Sequence, residues 1–268
     1  MADANTSSKK TVVMKFGGAA AATPEHFFRI ADLIVERKQI FPQVIVVVSA
    51  MGKTTDQLIS LAKQIHPNPP QREYDMLVTV GERISISLLA MALAVKNYEA
   101  VSFTGSQSGI ITCNRHTEAR IVDVKPHRLL ASLEKGKIVI VAGFQGVSRA
   151  GEITTLGRGG SDTTAVALGA ALQADLVEFY KDVPGFCNTD PKMDPLAKVF
   201  DALSYEEALA IVSKGAKILH ERSLQLAKIN GLPLHIKPFY LPISENEKGT
   251  LIYSKDSLRA STPSFEES

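Results

Sequence analysis

The sequence predicts an α/β protein with an open, mostly parallel sheet that helices cover on both faces. Short runs rich in valine and isoleucine recur along the 268 residues, as expected for buried strands. Segments with helical periodicity lie between these runs, and 45% of the residues are hydrophobic, which is enough for a sizeable core. In such folds ligands bind beyond the carboxyl ends of the strands, so the loops that follow strands are where function is sought.

The first half of the chain is predicted to hold three strands and three helices. In chain order, valine- and isoleucine-rich runs and helical periodicity predict strand 11–16, helix 24–38, strand 43–49, helix 56–65, helix 84–96 and strand 100–104. The PNPP sequence at 67–70 marks a surface turn because proline breaks a helix. The polar region 105–125, with scattered isoleucines, is expected to form a hairpin or flap near the cleft.

The second half continues the alternation. The same two signals predict helix 126–135, strand 138–142, helix 163–172, strand 175–180, helix 205–213 and strand 234–237. Residues 1–10 and 254–268 are polar and are interpreted as tails, the second of them disordered. Because the opening MADANTSSKK has no apolar core and no apolar run approaches the roughly twenty residues of a membrane helix, we expect a cytoplasmic protein.

Composition favours small-molecule chemistry. The formal net charge is +2 and the basic residues are spread along the chain, so neither a nucleic acid nor a membrane is indicated as a partner. Cys113 and Cys187 are far apart and show no metal-ligand spacing. Neither a disulfide framework nor a zinc site is therefore expected, and both residues are interpreted as reduced thiols.

The segment 155–164, TLGRGGSDTT, is the most informative part of the chain. Its three glycines allow backbone conformations that a Cβ would forbid, and they allow a close approach to a ligand. Ser161 or Asp162 can cap the helix that follows, and Arg158 can clamp a carboxylate or phosphate near a helix start. An anion site and a simple capped glycine loop are both compatible with this segment alone.

Two further loops follow predicted strands. Lys15 stands beside Gly17 and Gly18, and a mobile positive charge next to exposed backbone N–H groups suits phosphate, although Lys15 alone could merely solvate a strand end. The segment 49–56 superficially resembles a P-loop but lacks its first glycine, since Val47 occupies that position. In this segment Ser49 and Thr55 could contact a substrate, while Thr55 or Asp56 could equally cap the next helix.

Charged residues near two helix starts have two possible roles. Glu82 could stabilise the helix dipole of the apolar segment that follows, or it could recognise a cationic amine. Lys217 is interpreted as lying near a helix start, where a positive charge is slightly unfavourable and so hints at an anionic ligand. The segments 181–185 and 188–192 are turn-rich polar loops by themselves.

Taken together, these segments make the chain resemble the catalytic domain of aspartokinases, in the amino acid kinase superfamily. The similarity runs from about Val12 to Ile252 and rests on KFGG, VSAMGKTTD, DMLVTVGERISISLLAMAL, FTGSQSGI, the long block around GRGGSD, KDVPGFCNTDPK and GAKILH, in this order. The GRGGSD block is specific to the aspartate branch. The resemblance implies a three-layer α/β/α sandwich formed by a single domain, 11–253, whose N-terminal half binds the phosphate acceptor and whose C-terminal half binds ATP.

The implied reaction is the transfer of a phosphoryl group from ATP to L-aspartate, giving 4-phospho-L-aspartate, the first step of the aspartate-derived amino-acid pathway. Arg158 would grip the α-carboxylate and Glu82 the ammonium group. The resemblance also implies that Ser49, Thr55, Phe144 and Ser161 line the acceptor pocket. Lys15 and Lys217 would neutralise the charge of the phosphoryl group, Gly17 and Gly18 would donate backbone hydrogen bonds to it, and Asp162 would orient the lysines. ATP would be contacted near Lys181, Asp182, Cys187 and Lys192. Mg²⁺ would bridge the phosphates, and the resemblance names no protein ligand for it. The resemblance also implies a homodimer.

The chain departs from the family pattern in two loops. Ala19 and Ala20 replace a Thr-Ser pair after KFGG, and Lys181, Cys187 and Lys192 replace threonine, tyrosine and arginine in the nucleotide region. These departures leave two alternatives open: a weakly active or inactive partner subunit of another aspartokinase, and an amino acid kinase with a different acceptor. The sequence shows no ACT domains after the catalytic region, so we expect lysine and threonine not to inhibit this chain.

Overall fold

A sheet of eight strands forms the centre of the computed structural model, which describes residues 10–189, 196–241, 248–254, 260 and 262–267. The strands of the chain are β1 Thr11–Phe16, β2 Gln43–Val48, β3 Ala100–Phe103, β4 Ile110–Thr112, β5 Ile121–Val124, β6 Ile138–Ala142, β7 Gln145–Ser148, β8 Ile153–Thr155, β9 Leu176–Lys181, β10 Ala202–Leu203, β11 Leu234–Pro238 and β12 Thr250–Ile252. The large sheet has the order β10-β12-β11-β9-β1-β2-β6-β3, and β4, β5, β7 and β8 form a second, smaller sheet.

Helices cover both faces of the large sheet. They are α1 Pro24–Ile40, α2 Thr54–Ile65, α3 Gln71–Val78, α4 Val80–Val95, α5 His127–Glu134, α6 Gly160–Ala171, α7 Tyr205–Ser213 and α8 Glu221–Asn230. Because successive strand residues point to opposite faces, Val12 of β1 packs in the core beneath α1 and α4, and Val13 in the core beneath α5, α6, α7 and α8. The predicted three-layer α/β/α architecture is confirmed.

All pairings in the large sheet are parallel except that between β11 and β12. The strand β1 lies between β2 and β9, so the strand order reverses at β1 and its carboxyl end faces a crevice. Residues 105–125 were expected to form a hairpin, and the antiparallel pairing of β4 with β5 confirms it.

Several elements differ from the sequence-based expectations. The helices α3 and α8 and the short strands β7, β8, β10 and β12 were not predicted, and α4 begins at Val80 rather than at residue 84. Capping is also different, because α2 and α6 have no side-chain cap. The suggested caps Thr55, Asp56, Ser161 and Asp162 all lie inside the first turns of these helices.

The prediction of a disordered tail is wrong for residues 264–266. Ser264 exchanges two hydrogen bonds with the side chain of Asn230, and Phe265 packs against the core. Glu266 pairs with Arg222 and with the backbone of Ile121. The polar composition of the tail gave no sign of this order, because the order depends on contacts that three consecutive residues make with distant parts of the chain.

The helical stretch Gln71–Val95 is long and apolar enough, by length and composition, to cross a membrane. The expectation that no apolar run approaches the length of a membrane helix is therefore wrong for this stretch. Half of its most apolar window is buried inside the fold, where Leu89 and Leu93 of α4 belong to the core beside α1. The apolar character of this stretch is therefore accounted for in large part by packing against the sheet.

Candidate active site

A cleft of about 580 Å³ opens at the carboxyl ends of β1 and β2, where the order of the large sheet reverses. Nine of the residues singled out from the sequence line it: Lys15, Gly18, Ser49, Thr55, Glu82, Phe144, Arg158, Ser161 and Asp162. The fold thus brings together residues that are up to 147 positions apart in the chain, from Lys15 to Asp162, because parallel strands all present their carboxyl ends at one edge.

Asp162 holds two lysines at the inner end of the cleft. Its Oδ1 atom lies 2.7 Å from Nζ of Lys15, and its Oδ2 atom lies 3.1 Å from Nζ of Lys181. Lys15 comes from β1 and Lys181 ends the adjacent strand β9, while Asp162 lies in the first turn of α6. Two cations and one carboxylate leave this cluster with a net positive charge.

Burial and the two lysines act in opposite directions on the pKa of Asp162. Burial alone would raise this pKa, but Lys15 and Lys181 together lower it to about 2, so the carboxylate is ionised at neutral pH. Burial is also the largest influence on Lys15 and lowers its pKa, against the opposing effect of Asp162. The result is a desolvated positive site that is suited to an anionic group such as phosphate.

The Gly17-Gly18 turn brings backbone close to this cluster. A Cβ on Gly17 would lie 3.5 Å from Nζ of Lys15. A Cβ on Gly18 would lie 3.0 Å from the carbonyl oxygen of Ala50, and the N–H of Gly52 donates to the carbonyl of Gly18. Glycine at these positions therefore lets the loops after β1 and β2 pack directly against each other beside Lys15.

Glu82 is a buried carboxylate with a free oxygen. Its Oε1 atom accepts a hydrogen bond of 3.1 Å from the N–H of Ala50, whereas its buried Oε2 atom has no hydrogen-bond partner among the described residues. Burial raises the pKa of Glu82 to about 7, with smaller opposing effects from backbone hydrogen bonds. A buried, unsatisfied acceptor is costly, and a cationic ligand in the cleft would satisfy it.

The glycine-rich loop places Arg158 in the lining of the cleft. Gly157 and Gly159 both have φ of +73°, a left-handed conformation that favours glycine. A Cβ on Gly159 would lie 2.3 Å from the ring of His220, so the loop packs closely against the residue that precedes α8. The side chain of Arg158 is exposed and forms no ion pair with another described residue, which leaves its guanidinium available to an anion.

The residue Asp75 organises the cleft wall, and the sequence analysis assigned it no role. It is fully buried in α3, and it accepts hydrogen bonds from the side chain and N–H of Thr155, from the N–H of Thr117 and from a ring nitrogen of His116. Thr117 and Thr155 line the cleft. The sequence signal for such a role was an acidic residue on the buried face of a helix, because a buried carboxylate needs hydrogen-bond partners.

Three other predicted nucleotide-site residues, Lys217, Asp182 and Cys187, are not among the residues that line this cleft. Lys217 is exposed in the loop before α8 and lies four positions before Glu221, where this helix begins. Asp182 is exposed just after β9, while Cys187 is buried and both cysteines are free thiols. Lys192 falls outside the described residues. The roles of these four residues stay predictions.

Comparisons with known proteins agree with this geometry. The model of the amino acid kinase family matches residues 10–238. An aspartokinase of Bacillus sp. (strain MGA3) is 49% identical over 241 residues, covering 90% of this chain and 58% of that protein. The chain thus spans less than two thirds of the length of this relative.

Solved structures show the same fold. The aspartate kinase from Synechocystis superposes with a TM-score of 0.82 at 42% identity, covering 94% of this chain and 41% of that one. The structure of Escherichia coli aspartokinase III in complex with aspartate and ADP also gives a TM-score of 0.82, at 27% identity, covering 92% of this chain and 65% of that one. The sequence resemblance to aspartokinases is confirmed.

Proposed function

Because this chain belongs to the amino acid kinase family, we propose that it transfers the terminal phosphoryl group of ATP to the β-carboxylate of L-aspartate, giving 4-phospho-L-aspartate. One observation carries the proposal: a single cleft is lined by Lys15 and Asp162 of the positive cluster that Lys181 completes, by a buried carboxylate with a free oxygen, and by an exposed arginine. The first suits a phosphoryl group, and the other two suit an α-amino acid. The similar proteins described above are aspartokinases, which supports aspartate as the acceptor.

In the proposed complex, Arg158 binds the α-carboxylate of aspartate and Glu82 binds its ammonium group. The pocket between them is completed by Ser49, Thr55, Phe144 and Ser161, all of which line the cleft. This arrangement directs the β-carboxylate towards Lys15. No general base is needed, since a carboxylate of ordinary pKa is already ionised at neutral pH.

The transferring phosphoryl group lies against Lys15 and the backbone N–H groups of Gly17 and Gly18. Positioning and electrostatic stabilisation then account for the catalysis, as is general for phosphoryl transfer. We further propose that Lys217 completes the positive site, and that Lys181, Asp182, Cys187 and Lys192 contact ATP. Mg²⁺ is proposed to arrive bound to ATP, and we assign it no protein ligand because the described residues contain no group of three or more His, Cys, Asp or Glu side chains placed to hold a metal.

A weakly active partner subunit is the second candidate, favoured by Ala19 and Ala20. Their positions argue for the active enzyme instead. Ala20 packs in the core with residues of α1, and neither alanine is among the residues that line the cleft. The side chains present at these two positions therefore form no part of the described lining of the cleft.

We also propose that the protein is a cytoplasmic homodimer. Val80, Ile84, Met91 and Val95 on α4 are exposed apolar side chains, and a second copy could cover them. Light scattering coupled to size-exclusion chromatography would report the mass. A mass of one chain across the concentration range would contradict the homodimer without affecting the proposed reaction.

The reaction is tested by ADP release from the purified protein with Mg-ATP and L-aspartate, L-glutamate, N-acetyl-L-glutamate or UMP, with hydroxylamine to trap an acyl phosphate. Aspartate-dependent ADP together with a hydroxamate is the expected result. The variant Arg158→Ala should lose aspartate use, whereas Arg149→Ala, which changes an arginine outside the cleft lining, should retain it. Turnover with another acceptor, or none from folded protein, would overturn the proposal in favour of one of the alternatives.

A further inference from the structure

A short segment far along the chain contacts both α8 and the small sheet. This clamp segment, defined as Ser264, Phe265 and Glu266, lies between α8 and β5. Asn230, at the end of α8, donates through Nδ2 to the carbonyl of Ser264 and accepts through Oδ1 from its N–H, both at 2.9 Å. Phe265 packs against the core between these contacts. The segment is thus anchored to the C-terminal half of the fold.

Glu266 joins the clamp segment to the small sheet. Its N–H donates to the carbonyl of Ile121 at 3.0 Å, and its Oε2 atom accepts from the N–H of Ile121 at 2.9 Å. The strand β5 is at the edge of that sheet, so these bonds satisfy backbone groups that an edge strand leaves open. Glu266 therefore holds the small sheet against α8.

Arg222 connects Glu266 to the cleft. Its Nε and Nη2 atoms donate to the two carboxylate oxygens of Glu266 at 2.7 and 2.8 Å. The same guanidinium donates to the carbonyl of Leu156 at 2.6 Å and to that of Ala119 at 3.1 Å. Leu156 directly precedes Gly157 and Arg158, and Ala119 directly follows Glu118, all three of which line the cleft.

We propose that the clamp segment positions the aspartate-binding loop through Arg222, making Glu266 and Arg222 positioning residues for the acceptor. The bidentate pairing fixes the plane of the guanidinium, and this plane sets where the carbonyls of Leu156 and Ala119 lie. Without the carboxylate, Arg222 is free to rotate and the loop that carries Arg158 loses one of its supports. The inference rests on the proposed function only in that it names aspartate as the ligand whose binding changes.

The test compares Glu266→Gln with Glu267→Gln. Glutamine keeps the shape of residue 266 but cannot accept hydrogen bonds at both positions, while Glu267 is an exposed neighbour of the same charge. For Glu266→Gln we expect the KM for L-aspartate to rise about tenfold, with kcat and the KM for ATP within about twofold, since one charged hydrogen-bond pair is lost. Glu267→Gln should match the unmodified protein.

Hydrogen exchange supplies a readout that does not require turnover. In Glu266→Gln, the amides of 117–121 and 156–160 should exchange faster, while those of β1 and β2 stay protected. Phe265→Ala should have the same pattern. If these two regions exchange at the same rate in the variants and in the unmodified protein, the proposed positioning role is wrong. A lower melting temperature with an unchanged KM for aspartate would also contradict it and would leave the clamp segment a purely stabilising contact. If no acceptor is phosphorylated, the comparison of exchange rates still tests whether the clamp segment positions the loop that carries Arg158.

Discussion

Burial of the Glu82 carboxylate sets the pH range in which the cleft can bind a cation. Its pKa is raised to about 7, above the ordinary value for glutamate, so the free protein carries the neutral acid at lower pH. Only the ionised form pairs with an ammonium group. The pH dependence of the proposed aspartate binding is therefore expected to follow the ionisation of this one residue.

We expect kcat/KM for L-aspartate to fall by about tenfold per pH unit below about pH 7, because this ratio reports the ionisation of the free enzyme. Steady-state rates between pH 5.5 and 8.5 measure it. Glu82→Gln should lose this dependence together with most of the aspartate affinity, whereas Glu73→Gln, which changes an exposed carboxylate on α3, should keep the normal profile. A flat profile in the unmodified protein would remove Glu82 from ammonium binding.

Lys181 is the second cation on Asp162, and it replaces the threonine of the family pattern. We expect Lys181→Met to lower kcat about tenfold to hundredfold, as when one donor to a developing charge is removed. The KM for aspartate should change little, since Lys181 is not among the lining residues of the acceptor cleft. Lys135→Met, at an exposed lysine after α5, is the matched control. A kcat within twofold of normal would mean that Lys15 alone provides the positive site.

At the scale of elements, the turn into α6 depends on space as well as on backbone conformation. Gly159 and Gly136 have nearly the same φ, +73° and +75°. A Cβ would meet His220 at the first position and nothing within 4 Å at the second. Substitutions at these two glycines therefore distinguish the effect of backbone strain from that of a steric clash.

We expect both Gly159→Ala and Gly136→Ala to destabilise the protein by about 1 kcal/mol through the left-handed conformation. Only Gly159→Ala should also displace the loop that carries Arg158 and raise the KM for aspartate by about tenfold or more. Thermal unfolding and steady-state kinetics on both variants measure the two effects. Equal KM values would show that the loop tolerates the displacement of His220.

Sequence predicts the long buried elements well, for a physical reason. The strands β1, β2 and β6 are buried on both faces, so β2 and β6 appear as runs of valine and isoleucine, and β1 is apolar apart from Thr11 and Lys15. The strands β7 and β8 are only three or four residues long and depend on their neighbours, so no local pattern marks them. The contact between Lys181 and Asp162 was missed because two different elements bring these side chains together.

The whole molecule is tied together by a buried cluster of charges. Glu178 on β9 is fully buried and accepts hydrogen bonds from Arg37 of α1, from Lys237 of β11 and from the hydroxyl of Tyr180. It thereby joins the first helix to strands of the C-terminal half. Both cations are themselves buried, so the negative charge of Glu178 compensates them.

Glu178→Gln should lower the free energy of unfolding by about 3–5 kcal/mol, because it removes the carboxylate that two buried cations face. Urea denaturation followed by circular dichroism measures this loss. The control is Glu206→Gln, which breaks an exposed ion pair with Lys228 and should leave the midpoint almost unchanged. If the two variants unfold at the same midpoint, the cluster contributes little to stability.

The position of β1 in the middle of the sheet also determines the order in which the protein can be completed as it is synthesised. One neighbour, β2, follows within about thirty residues, but the other, β9, begins only at Leu176. Until that strand leaves the ribosome, one edge of β1 lacks its native hydrogen-bond partner, and such long-range parallel pairing folds slowly. Lys15 and Lys181 come together at Asp162 only after this pairing, so the nascent chain acquires the proposed phosphoryl site only once residue 181 has been made.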